Sequence, residues 1–188
     1  MTAVPAMARS VEDVVNLLCQ HADVPAEGEA PALSGLDHGL QCANVLRAER
    51  PDDAELQVAG LVHDIGHLLT PGAPAEHGRT GGDWLRRLLG ERVAALVELH
   101  VDAKRYLVAV EPGYRSRLSV DSIFTLVAQG GALSPFEAAA FERRAHSADA
   151  LVLRVADEAA KIPGLEVPGL NAWTPLLHSV ADHRQGSG

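Results

Sequence analysis

The chain has little cysteine, no excess of basic charge and no long apolar run. Cys19 and Cys42 are its only cysteines. Two are too few for a disulfide framework, which points to a reducing, cytoplasmic setting. Lys and Arg number 16 against 25 Asp and Glu, a net charge of −9 with histidine neutral. That sign argues against a general nucleic-acid binder and against a protein seated on anionic lipid, both of which need a basic surface. No apolar stretch approaches bilayer-spanning length. MTAVPAMARSVEDVV lacks the basic start and apolar stretch of a secretory signal. No segment alternates in polarity over strand length, no long internal repeat is present and no Gly-rich dinucleotide motif occurs. What the 188 residues do hold is 47% hydrophobic side chains, enough for one substantial core, and 9 histidines that ask for an explanation.

The dominant period is helical. Ser10 with Asp13 has capping-box spacing at the start of SVEDVVNLL. PAEGEAPALS, at 25–34, reads as a loop. A second helix is expected from Ser34 to before Pro51. A third is expected from Asp52 or Asp53 through AELQVAGLVHDIGHLL to Thr70-Pro71-Gly72. EHGRTGGDWLRRLLG reads as a fourth, opened at Gly81-Gly82, and ERVAALVELHVDAKRYL as a fifth. Ser119 caps a short sixth helix that stops at Gly130-Gly131. Ser134-Pro135-Phe136-Glu137 is the sharpest start signal in the chain. The pattern after it runs to about Lys161, with a break at His146-Ser147. Residues 163–188 read as an irregular tail with a frayed end. The expected architecture is an all-α single domain, 1–188, of about seven helices. Cys19 and Cys42 are expected in the core, Trp84 and Trp173 as packing anchors. His21, His146, His178 and His183 are expected at the surface or in structural roles.

The chemistry lies in LVHDIGH. His63 and Asp64 are polar neighbours inside an apolar helical stretch that would otherwise exclude them. His67 follows one turn after His63. A metal supplies the positive charge that a buried carboxylate needs and takes imidazole nitrogen directly. His38, His77, His100 and Asp157 each sit in or at the start of another apolar helix. Singly, such residues are more often structural than ligating. Together they give each successive core helix one or two ligand-type side chains, the way helical bundles build dinuclear sites. Lys104 lies four residues after His100, and Arg154 three before Asp157. The shared spacing puts two cations beside the candidate metals, a pocket suited to a phosphonate or phosphate oxyanion. Ser122 and Gln129 on the sixth helix add neutral hydrogen bonds.

The order His38, His63-Asp64, Asp157 resembles the metal motif of the HD-domain superfamily, over about residues 34–161. DHGLQCA, VHDIGH, EHGRTGGDWL, ELHVDAKRYL, LVAQGGALSPFEAAAFE and DALVLRVADEAAK look like that superfamily's phosphonate-cleaving, mixed-valent di-iron oxygenase branch. The resemblance implies that His38, His63, Asp64, His77, His100 and Asp157 hold two iron ions, Fe(II)/Fe(III), with Asp64 bridging. It implies O2 as co-substrate and a small 1-hydroxyphosphonate as substrate, cleaved at its C–P bond to phosphate and a carboxylic acid. His67 and Lys104 take catalytic roles. The substrate set is Glu29, Gln41, His67, Lys104, Ser122, Gln129 and Arg154. The branch carries a Tyr and a Glu in the loop before its first His ligand. Here Glu29 matches the Glu, but AEGEAPALSGLDH contains no Tyr, so the resemblance does not carry the group at the substrate's far end. An acidic loop would suit a cationic amine or ammonium. Two rival readings use the same residues: a metal-dependent HD phosphohydrolase, and an HD module that binds a ligand without turnover.

Overall fold

The computed structural model describes residues 7–23 and 33–185, and among them there is no β-strand. The elements are α1 (Val11–Gln20), α2 (Gly35–Glu49), α3 (Ala54–Val62), α4 (Gly66–Leu69), α5 (His77–Val110), α6 (Val120–Ala128), α7 (Pro135–Glu142), α8 (Ser147–Ala159) and α9 (Thr174–Gln185). Short 3-10 turns at His21–Asp23, Tyr114–Arg117 and Leu170–Ala172 link them. No described helix is long and apolar enough to cross a membrane. The fold is all-α, as its sequence period requires.

The capping residues set most starts. Ser10 and Asp13 form the expected capping box, as do Ser134 and Glu137. Ser34, Asp53 and Ser119 each accept the amide three residues on. Each such cap is worth about 1 kcal/mol. Gly130 and Gly131, both at positive φ, follow the end of α6, and His146, also at positive φ, separates α7 from α8.

Three expectations fail for identifiable reasons. The third helix does not run through to Leu69. Ile65 N donates to Val62 O and His67 N to Asp64 O, both at 3.0 Å, so the backbone tightens to three-residue turns at His63–Ile65 before α4 begins. The second correction concerns α5. It is not opened at Gly81-Gly82; the kink is at Gly90 (φ 93°, ψ 171°), a conformation for which glycine is the fitting residue. The two arms of α5 double back across Gly90. A Cβ at Gly82 would lie 2.7 Å from Ala94 O and 2.6 Å from Glu98 Cγ, so this glycine serves close packing rather than a break. The hairpin sets His77, on the first arm, opposite His100, on the second. Third, residues 174–185 form α9 instead of an irregular tail. Trp173, Leu177, Val180 and Ala181 are buried against the bundle. Leu177→Ala should therefore cost about 2–5 kcal/mol in denaturant unfolding; a loss under about 0.5 kcal/mol, typical of surface positions, would show that α9 does not support the core.

The main apolar cluster draws on α1, α2, α3, α5, α8 and α9. Trp84 and Trp173 are buried in it, and so is Cys42, whereas Cys19 is exposed on α1 rather than in the core. A smaller cluster of Leu107, Tyr114, Leu118 and Leu126 lies under α6.

Candidate metal centre and oxyanion pocket

α2, α3, α5 and α8 converge on one polar spot in this core. Two groups of ligand atoms form there: His38, His63 and Asp157 in one, Asp64, His77 and His100 in the other, each with its atoms within 4.8 Å of one another. His38 Nε2 lies 3.2 Å from both His63 Nε2 and Asp157 Oδ1. His77 Nε2 and His100 Nε2 are 2.9 Å apart, and each is 3.5 Å from Asp64 Oδ1. The other oxygen of that carboxylate, Asp64 Oδ2, lies 3.3 Å from His63 Nε2 and 3.6 Å from His38 Nε2. Asp64 thus turns one oxygen to each group.

The backbone decides which imidazole nitrogen is available. Each Nδ1 donates to a carbonyl: His38 to Ala160 at 2.9 Å, His63 to Gly60 at 2.8 Å, His77 to Pro74 at 2.7 Å and His100 to Val97 at 2.6 Å. A carbonyl oxygen only accepts, so Nδ1 carries the proton. In the neutral ring Nε2 is then a bare lone pair. Lone pairs facing each other at 2.9 and 3.2 Å repel unless a proton or a metal ion stands between them. The donor set, imidazole nitrogen with carboxylate oxygen on locked rings, fits a pair of transition-metal ions.

The field agrees. Burial pushes His100 down to about 4, which keeps its ring neutral. At His63 burial also opposes the cation, but the Asp64 and Asp157 carboxylates outweigh it and raise the ring to about 9; positive charge is wanted at that point. Against burial, His63, His100 and His77 hold Asp64 well below its ordinary value, and Arg154 and Lys161 do the same for Asp157.

A pocket opens beside the candidate metal ligands. Its wall includes His67, Lys104, Ser122, Gln129 and Arg154, together with Val101, Thr125 and Lys161. Lys104 and Arg154 are buried, which excludes a solvated helix face for them. Lys104 Nζ donates to Thr125 Oγ1 at 2.8 Å, and burial, reinforced by Arg154, lowers its ammonium to about 8. His67 stacks on His77 with ring centroids 3.8 Å apart, and its Nε2 is 3.7 Å from Asp64 Oδ1. Gln129 Nε2 donates to Pro74 O at 3.2 Å, while its buried Oε1 has no hydrogen-bond partner.

Two sequence assignments change and one lies outside the described residues. Gln41 does not line the pocket; its amide is used at both ends by the Ile162 backbone, at 2.8 and 3.1 Å, and ties α2 to the segment after α8. Arg154 lines the pocket but is not a free clamp. Its Nη1 holds Asp157, its Nη2 holds Glu158 and its Nε donates to Tyr114 Oη at 3.0 Å. Glu29 falls in 24–32, outside the described residues. The sequence reading also missed Lys161, whose i+4 spacing from Asp157 was a usable signal, and Thr125, three residues after Ser122. His21 is buried, and burial lowers its ring to about 4 beside the charges of this centre.

A family model for the HD domain matches residues 32–161. The chain belongs to the HD-domain family. It is 29% identical over 185 residues to a [1-hydroxy-2-(trimethylamino)ethyl]phosphonate dioxygenase (glycine-betaine-forming) of Leisingera caerulea, covering 94% of this chain and 93% of that one. It is 32% identical over 161 residues to a hydroxymethylphosphonate dioxygenase of Gimesia maris, covering 81% and 80%. An uncharacterized protein of Acanthamoeba polyphaga mimivirus is 27% identical over 179 residues, covering 90% and 80%. The likeness to these two phosphonate dioxygenases therefore extends over most of the chain.

Proposed function

We propose that this HD-family protein is a di-iron, O2-dependent oxygenase that cleaves the C–P bond of a small 1-hydroxyphosphonate. The observation that carries the reading is the Asp64 carboxylate, one oxygen turned to His38 and His63 and the other to His77 and His100, beside a pocket with buried cations. Both named relatives act on phosphonates that bear a hydroxyl on the carbon next to phosphorus. The substrate would lose its C–P bond and its C–H bond at that carbon. The products are a carboxylate, inorganic phosphate and a proton. All electrons that reduce dioxygen come from the substrate, so no flavin or nicotinamide is required.

His38, His63 and Asp157 would hold one iron, His77 and His100 the other, and Asp64 both; when bound, the iron pair would supply the redox chemistry that engages dioxygen. The rest belongs to the chain. The Lys104 ammonium attracts a phosphonate oxygen in a site poor in water, where a charge-assisted hydrogen bond is strong. Lys161 adds charge from α8's end. Gln129 Oε1 offers its unused acceptor to a substrate O–H. His67, beside Asp64 at the pocket wall, is placed to take or return a proton. Arg154 acts through Asp157, which it orients.

Hydroxymethylphosphonate and two-carbon 1-hydroxyphosphonates, given to iron-loaded protein, should yield phosphate in step with oxygen uptake. Phosphate released from esters without oxygen uptake would establish the hydrolase reading instead. The Lys104 ammonium adds a pH signature. It is charged below about 8, so KM for the phosphonate should rise as pH climbs through that value. Lys104→Met should raise KM about tenfold or more and flatten this limb, with metal content unchanged. An unaltered KM profile in the variant would remove Lys104 from phosphonate binding.

A further inference from the structure

Glu158 follows the candidate ligand Asp157 on α8 but belongs to neither group of ligands. Its carboxylate nevertheless gathers donors from two elements. Oε1 accepts from Ser119 N, the cap of α6, at 3.1 Å. Oε2 accepts from Ser122 Oγ at 3.3 Å, from Lys161 Nζ at 3.4 Å and from Arg154 Nη2. Lys161 Nζ in turn donates to Ser122 Oγ at 2.7 Å.

α6 has other polar ties, from Lys104 Nζ to Thr125 Oγ1 at 2.8 Å and from Gln129 Nε2 to Pro74 O at 3.2 Å, but little apolar anchoring. Its outer face carries Val120, Phe124 and Val127, which are 81%, 73% and 68% exposed. Inward, only Leu126 is fully buried, in the small cluster with Leu107, Tyr114 and Leu118, and Ile123 packs against that cluster. A helix with so little apolar burial depends on polar ties for its position. One of the Glu158 ties runs through Ser122, which α6 presents to the pocket.

We propose that Glu158 is a positioning residue for the pocket. By joining the first turn of α6 to Arg154 and Lys161, it sets where Ser122, Thr125 and Gln129 stand over the metal centre and keeps both cations in register. The pocket's ligand class rests on the phosphonate reading above; the placement of α6 does not. Glu158→Gln keeps the shape but offers one acceptor where two are used, so either the Ser119 tie or the cation tie is lost. Glu158→Ala loses both, and Glu158→Asp keeps the charge.

The test uses full-length iron-loaded protein. Its readouts are metal content, amide exchange over 120–128, the Kd for inorganic phosphate, and KM against kcat. For Glu158→Ala the expected result is unchanged metal content, exchange in α6 roughly tenfold faster with α3 unaffected, and phosphate Kd and KM raised roughly tenfold while kcat falls less. Glu158→Gln should fall between, and Glu158→Asp should recover part of the phosphate affinity. Unchanged α6 exchange and phosphate Kd would overturn the proposal. So would loss of metal, because Glu158 would then be supporting Asp157 rather than the pocket. Wild-type protein that neither binds phosphate nor turns over phosphonates would sink the phosphonate reading, and the exchange pattern of α6 would still decide the positioning claim.

Discussion

Asp64→Asn should abolish turnover, by about three orders of magnitude or more, and should leave the protein with about one metal ion or none per chain. The substitution is nearly isosteric, so packing around α3 and α4 is little disturbed. Its effect comes from charge and from one lost acceptor. The wild-type carboxylate turns Oδ2 to His38 and His63 and Oδ1 to His77 and His100. In the amide one of those positions becomes an NH2 group, which cannot ligate, and the negative charge that the two proposed ions would share is gone. Elemental analysis with oxygen-electrode assays separates the alternatives. A variant that keeps both ions and its oxygen uptake would show that Asp64 does not bridge them.

Gly66→Ala should be nearly as damaging through backbone alone. A Cβ at Gly66 would lie 1.9 Å from His77 O and 2.6 Å from His77 C. Those atoms are main chain at the start of α5, so a rotamer change cannot relieve the clash. Either α4 or the first turn of α5 must move, and His77 moves with it. We expect a loss of about 1–3 kcal/mol or more of stability, together with loss of the metal proposed to lie among Asp64, His77 and His100. Gly169→Ala is the control. Nothing lies within 4 Å of its would-be Cβ, and its effect should stay within about 0.5 kcal/mol. Thermal unfolding with and without added iron measures both. A Gly66→Ala protein with wild-type melting and metal content would mean that α4 and α5 do not approach as closely as described.

The candidate metal ligands stand out in the sequence because their types are costly in apolar helices and their order follows the core helices. The resemblance to the HD-domain superfamily narrows them to six, and the fold brings those six together in two groups. Lys104 and Arg154 also reach the pocket wall, since a residue four after or three before a candidate ligand shares its face, and Ser122 and Gln129 reach it from α6 and its end. Commitments made in three dimensions were not legible. Sequence spacing makes Arg154 a cation for an oxyanion, yet Asp157 and Glu158, three and four residues on along α8, occupy it, and so does Tyr114, a partner that only the docking of its turn on α8 reveals. Gln41 lies three residues beyond His38 on α2, but its amide meets the Ile162 backbone, a partner fixed by the chain's return after α8. The Gly81-Gly82 pair was read as a break because its role depends on the second arm of α5 packing against it. α9 did leave a trace: Trp173, Leu177, Val180 and Ala181 have helical spacing, masked by the Pro- and Gly-rich stretch before them.

The central claim is that these side chains hold two coupled iron ions across one carboxylate. Elemental analysis with low-temperature EPR, on protein purified anaerobically and then partly oxidised, tests it most directly. The account predicts about two irons per chain and a half-integer-spin signal with g values below the free-electron value, the mark of a coupled Fe(II)/Fe(III) pair, lost in Asp64→Asn. A single metal per chain, or manganese or nickel with no such signal at any redox poise, would contradict it.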